Sequence, residues 1–132
     1  MQEAFIVGAV RTAAGRRGGK LSGWHPIDLG AVVLDEIVAR TKIDPELVED
    51  VIFGCVNQVG SQGTNIARNA VLSSSLPETI PATTVDRQCG SSQQAVHFAA
   101  QAVMAGVHDV VIAGGVEVMS LVPIGANAIA GH

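Results

Sequence analysis

The 132 residues predict an α/β fold on a mostly parallel sheet, in the order β-α-β-α-β-α-β. Short Val- and Ile-rich runs alternate with helical patterns, and parallel strands buried on both faces read as such runs. Connections long enough for crossover helices separate them. A cysteine stands where one run hands over to a helix, and chemistry in parallel sheets gathers beyond the carboxyl ends of the strands.

Taken in order, Ala4 to Val10 (AFIVGAV) is a near-continuous apolar run and predicts a first strand, buried on both faces. The glycine-rich basic stretch TAAGRRGGKLSG is loop. Pro26 suits a first helical turn, and Leu29, Val33, Leu34, Ile37 and Val38 form a helical stripe ending near Thr41. Asp44-Pro45-Glu46-Leu47 starts a short helical turn, and Val51-Ile52-Phe53 reads as a second buried strand. Gly60 to Gly63 is loop. Asn65 to Ser73 predicts a helix with Ile66, Ala70 and Val71 inward. Thr83-Thr84-Val85 is a short β-branched strand. Cys89 to Ala105 predicts a helix that Gly106 stops, and Asp109 to Ala113 a strand, with mostly loop beyond.

Apolar residues make up 48% and charged residues only 15%, so much of the surface is expected to be buried against something else. The net charge of −4 argues against nucleic acid or an anionic membrane as partner. No apolar run reaches the length of a membrane span, and MQEAFIVGAVRT lacks a signal-peptide pattern, so a cytoplasmic location is expected. Ala95 to Val107 (AVHFAAQAVMAGV) is apolar nearly all round, interrupted only by His97 and Gln101. Such a helix calls for a layer on each side, and the chain supplies one sheet. The second layer is expected from further polypeptide or another subunit, leaving a layered sandwich that is incomplete.

Cys89 is the leading candidate for chemistry. A helix N-terminus favours a thiolate, and its backbone amides can stabilise an oxyanion. Gly90, Ser91 and Ser92 leave room for a substrate. The competing reading is a small buried hydrophobe. No histidine offers itself as base. His97 lies eight residues along, roughly 12 Å by helical rise. His25 sits at a helix start, His108 precedes a strand at the far side, and His132 is terminal. Cys55 reads as a core thiol. The two cysteines suggest neither a disulfide framework nor a metal site. Arg16, Arg17 and Lys20 sit in a loop that fails the phosphate-loop pattern, with Ala14 and Leu21 at its key positions. Gly114-Gly115 permits close backbone approach, and Glu117 is expected to order the loop beyond it.

The segments VRTAAGRRGGKLSG, DLGAVVLDEIV, PATTVDRQCGSSQQAV, AAQAVMAG and DVVIAGGVEVMS resemble, in order and spacing, the N-terminal part of thiolases, the acetyl-CoA acetyltransferases and 3-ketoacyl-CoA thiolases. The resemblance covers essentially all of residues 1–132, as a partial N-terminal domain without the CoA-binding loop region. It implies that Cys89 is the acyl-accepting nucleophile, with its backbone N–H as one oxyanion donor. It implies coenzyme A as co-substrate, with no bound cofactor and no metal. It further implies a five-layered whole with the cysteine helix in the middle layer. The strand around Thr83 to Val85 would then lie near a dimer two-fold. Homo-oligomers or a complementary thiolase chain are the partners to expect. The family's histidine in H-P-x-G, its second cysteine in C-x-G-G-G, most of its CoA site and the last strand of its sheet lie on sequence beyond residue 132. This predicts that the chain is inactive alone. A catalytically silent module that assembles through apolar faces is the alternative. An independent thiol enzyme with another base is a third reading. Departures from the family pattern are Asp86-Arg87-Gln88, Gln93-Gln94, Val118 and Ile66. The QCGSSQQA version resembles a subset that acts on longer or bulkier acyl groups.

Overall fold

A computed structural model describes residues 2–129. Its regular elements are α1 (Pro26–Thr41), β1 (Asp50–Gly54), α2 (Ile66–Ser73), β2 (Ala82–Val85), α3 (Ser91–Met104), β3 (Val111–Gly115) and a single turn, α4 (Ala126–Ile129). The three strands are parallel, in the order β2-β1-β3.

Local chemistry explains the ends of the helices. Pro26 opens α1, and the His25 ring accepts a hydrogen bond from Ile27 N–H. Lys42, at φ 56°, closes α1 by donating its N–H to Val38. Asp44 caps the short 3-10 turn Pro45–Leu47. Asn65, also left-handed at φ 56°, caps α2 by accepting from Arg68 N–H.

The alternation of β1 divides the core. Val51 and Phe53 face α1 and α2, where they pack with Leu34, Ala67, Ala70 and Val71. Ile52 faces α3 and packs on Ala95 and Ala99. α1 and α2 approach so closely at Gly30 that an added methyl would sit 2.9 Å from Ala70 Cβ. Leu34, Ile66 and Val71 are fully buried, each contributing about 1.5–3 kcal/mol of transfer free energy.

The four-strand expectation needs correction. Residues 4–10 form no strand, and Phe5, Ile6 and Val7 are 76–82% exposed. A cleft of about 1500 Å³ separates this run from the free edge of β3. Strands pair at roughly 4.8 Å, so a run held across such a gap has no ladder to join. An apolar run reports a demand for burial, not which neighbour meets it. Smaller shifts follow the same logic. β3 begins two residues later than expected and takes in Gly114 and Gly115. Gly60–Gln62 is a 3-10 turn rather than open loop. α3 begins at Ser91, which places Cys89 ahead of the helix rather than in it. Of the α1 stripe, Leu34 is fully buried, while Leu29, Val33, Ile37 and Val38 are half-buried along the cleft.

On α3 the face away from the sheet is open. Val96, Phe98 and Met104 are 37–43% exposed, so the second covering layer expected for this helix is not made by residues 2–129. No helix among the described residues is long and apolar enough to cross a membrane.

Candidate functional site

At the carboxyl end of the sheet, Val85, Gly54 and Gly115 stand in one row. The chain leaves β2 at Val85, makes one tight turn over Asp86–Gly90 and enters α3. Cys89 lies on that turn and is exposed.

Short polar side chains hold the turn. Gln88 takes a left-handed φ of 49°, a conformation that costs a non-glycine residue about 1 kcal/mol or more. Gln88 N–H donates to Asp86 Oδ1 at 2.7 Å, which shapes the backbone into this bend. Ser91 Oγ accepts from Arg87 N–H at 2.8 Å and donates to the Gln88 carbonyl at 2.6 Å. The Arg87 guanidinium donates to Gln94 Oε1 on the buried side of α3. Gly90 is the N-cap of α3, and no side chain caps the first turn. The positive end of the helix adjoins the turn that carries Cys89, and the Gly90 and Ser91 N–H groups donate to the Arg87 and Gln88 carbonyls of that turn.

Two glycines seat this helix start. A methyl on Gly54 would come within 2.7 Å of Ser92 Cα, and closer still to Ser92 N and the Ser91 carbonyl carbon. A methyl on Gly115 would overlap Ser92 Oγ and lie 2.7 Å from the Gly54 carbonyl oxygen. Only residues without Cβ let the helix rest on the strand ends.

Beyond those glycines, one carboxylate joins the two following loops. Glu117 Oε2 accepts from Val56 N–H at 2.7 Å. Its Oε1 accepts from Asn57 N–H at 3.2 Å, Asn57 Nδ2 at 3.2 Å and Gln62 Nε2 at 2.9 Å. The fully buried Gln62 accepts in turn from Val118 N–H at 2.6 Å, and Asn57 Oδ1 from Gly125 N–H at 3.1 Å. Partial burial pushes the Glu117 carboxyl up, but the hydrogen bonds outweigh it and hold it below the ordinary glutamate value.

Cys55 is buried, and burial, followed by the charge of Glu117, pushes its thiol up to about 12. That is a core thiol, as its sequence position suggests. None of the described histidines bonds to Cys89. His25 caps α1, His97 pairs with Gln93 at 3.2 Å, and His108 lies 4.0 Å from Glu49, just ahead of β1 at the amino end of the sheet. His132 lies outside the described residues. The basic residues Arg16, Arg17 and Lys20 are exposed in their loop. No cluster of potential metal ligands occurs among the described residues. The large apolar cleft beside β3 is lined by Phe5, Val7, Val33, Val111 and Ala113, and Cys89 is not among its lining residues.

Asn57, Gln62 and Gln88 carry no warning in periodicity. The pairing of Asp86 with the amide two residues on was readable as a turn signal, since Asp makes that bond routinely. The partners of Glu117 were not readable, because they come from 55 to 61 residues away.

The family described as "Thiolase, N-terminal domain" matches residues 4–132. The steroid 3-ketoacyl-CoA thiolase of Mycobacterium tuberculosis is 54% identical over 132 residues, all of this chain and 32% of that protein. The β-ketoadipyl-CoA thiolase of Escherichia coli is 48% identical over 124 residues, 93% of this chain and 31% of that protein. The crystal structure of the Bacillus anthracis acetyl-CoA acetyltransferase superposes with a TM-score of 0.86 at 41% identity, covering 91% of this chain and 30% of that one. The chain thus spans about a third of the length of the relatives it matches. With the parallel sheet, the strand–cysteine–helix turn and this match along its length, the chain belongs to the thiolase N-terminal domain family.

Proposed function

We propose that this chain is the N-terminal part of a thiolase-type acyl-CoA acyltransferase and that it supplies the nucleophile, Cys89, for cleavage or condensation of 3-ketoacyl-CoA. The supporting observation is the exposed thiol on a tight turn, ahead of an uncapped helix start, at the carboxyl end of the sheet. The exposure of Cys89 argues against the buried-hydrophobe reading.

In the cleavage direction, the Cys89 thiolate attacks the 3-keto carbon and the electron pair of the carbonyl moves to its oxygen. The Cys89 N–H and the positive end of α3 offset charge in a transition state of this kind. Collapse breaks the C2–C3 bond. The departing carbanion takes a proton and leaves as acetyl-CoA, and the acyl group remains on Cys89. A coenzyme A thiol, giving up its proton, then attacks the acyl-cysteine, leaves as acyl-CoA and releases the Cys89 thiolate. Both proton transfers need an acid or base, and the described histidines are engaged elsewhere. We assign them to the family's histidine and second cysteine on sequence outside this chain. Coenzyme A enters as co-substrate, and no bound cofactor or metal takes part. The relationship to a steroid thiolase and the QCGSSQQA motif favour a long or bulky acyl group.

Alone, the chain is inactive and associates through the open faces of α3 and the N-terminal run, either with itself or with a complementary chain. The test is thiolysis of a 3-ketoacyl-CoA, followed as acyl-CoA formation. The chain is assayed alone and mixed with a separately made C-terminal part from a thiolase relative. Activity only in the mixture, lost with Cys89→Ala, is the expected result. Silence in both, with a stable complex formed, would leave the assembling, catalytically inert module as the reading.

A further inference from the structure

We propose that Glu117 is a positioning residue for Cys89: its carboxylate clasps the loops beyond β1 and β3, so that Gly54 and Gly115 stay side by side beneath Ser91 and Ser92 and hold the turn that presents the thiol. The inference rests on the reading of Cys89 as the nucleophile.

The path from clasp to thiol is short and stiff. Glu117 follows Gly115 by two residues, and Val56 and Asn57 follow Gly54 by two and three. The two glycines lie opposite one another in the sheet. Ser92 rests directly on both, with no room for a methyl group. Ser91 carries the hydroxyl that ties Arg87 and Gln88 into the turn around Cys89. A parting of the loops therefore moves the seat, then the helix start, then the thiol.

The four groups that hydrogen-bond the Glu117 oxygens are all donors, and the Cys55 thiol lies beside them. A glutamine there turns an amide NH2 toward at least one of them and opposes donor to donor. Gln62 is the other half of the clasp, because its amide bonds both Glu117 and Val118 N–H.

The sign of the effect separates positioning from plain charge. Removal of the Glu117 charge would by itself favour any neighbouring thiolate and speed alkylation of Cys89. Loss of the turn's position against the start of α3 slows it. Asp86 and Arg87, the charged groups on the turn itself, are unaltered in both variants below.

The experiment measures iodoacetamide alkylation of Cys89 against pH in the chain with Glu117→Gln and with Gln62→Met, by peptide mass spectrometry. Labelling of the buried Cys55 reports any general opening; in Glu117→Gln, where the lost charge alone eases the Cys55 thiol, circular dichroism reports it as well. Alkylation of Cys89 at a fixed pH near neutrality is expected to slow about threefold in Glu117→Gln. Gln62→Met slows it by less, and Cys55 stays protected in both. A rate unchanged or raised with Cys55 protected overturns the proposal. If Glu117→Gln opens the fold, Gln62→Met decides, and an unchanged rate there overturns it as well. Acylation of Cys89 by a 3-ketoacyl-CoA, in the mixture with a C-terminal part, is read separately. Its failure with the slowing intact would remove the nucleophile role and leave the positioning.

Discussion

Gly54→Ala is the most direct probe of how the sheet seats the cysteine turn. Gly54 ends β1, and its added methyl meets the backbone of Ser91 and Ser92, not a side chain that can swing away. The distance to Ser92 Cα would be 2.7 Å, against an ordinary carbon–carbon contact of about 3.5–4.0 Å. The start of α3 must therefore retreat by about 1 Å. Overpacking of a rigid site costs about 1–3 kcal/mol, and contact with backbone puts this case toward the upper figure. A displacement of that size near reacting atoms costs on the order of a hundredfold in rate. The assay is urea unfolding by circular dichroism, with Gly23→Ala as control, since nothing lies within 4 Å of a methyl there. A loss of about 2–3 kcal/mol for Gly54→Ala is expected, with little change in the control. In the mixture with a C-terminal part, acyl transfer should fall in step. A Gly54→Ala chain as stable as the wild type would refute the tight seating of α3 on the strand ends.

Two further outcomes follow from the buried polar groups. The Glu117 carboxyl is held below its ordinary value of 4.5, so it contributes stability that is fully present above that value and lost as pH falls through the folded one. Unfolding midpoints taken from neutral pH down to about pH 3 should therefore drop for the wild type and drop less for Glu117→Gln; parallel curves would contradict the clasp. In the folded chain at about pH 8, iodoacetamide should label Cys89 and spare Cys55, whose thiol burial pushes up to about 12. Equal labelling of the two cysteines under native conditions, followed by tryptic mapping, would place Cys55 outside the core.

Much of the fold was legible because local rules agreed with the tertiary answer. Pro26, Asp44 and Asn65 act at the ends of their elements as their side chains suggest, and Ile66, Ala70 and Val71 are fully buried as the helical spacing implied. Ala4 to Val10 misled because an apolar run signals burial but does not fix a pairing partner, and this run stands across a cleft from the edge of β3. The Cys89 turn was legible as a strand-to-helix junction. Its left-handed Gln88 was not, since that conformation is held by Asp86 and Ser91 rather than by any preference of glutamine.

By itself, then, the sequence determined the alternation of strands and helices, the parallel sheet, the placement of Cys89 beyond a strand and the family to which the chain belongs. These are properties of periodicity and motif, carried by residues near one another in the chain. Only the tertiary structure decided which strands stand at the edges of the sheet, which face of α3 stays open, and that Gly54, Gly115 and Glu117 meet around one helix start. Those depend on contacts between residues dozens of positions apart, made when the sheet brings its strand ends into one row. No local pattern encodes a distance of that kind.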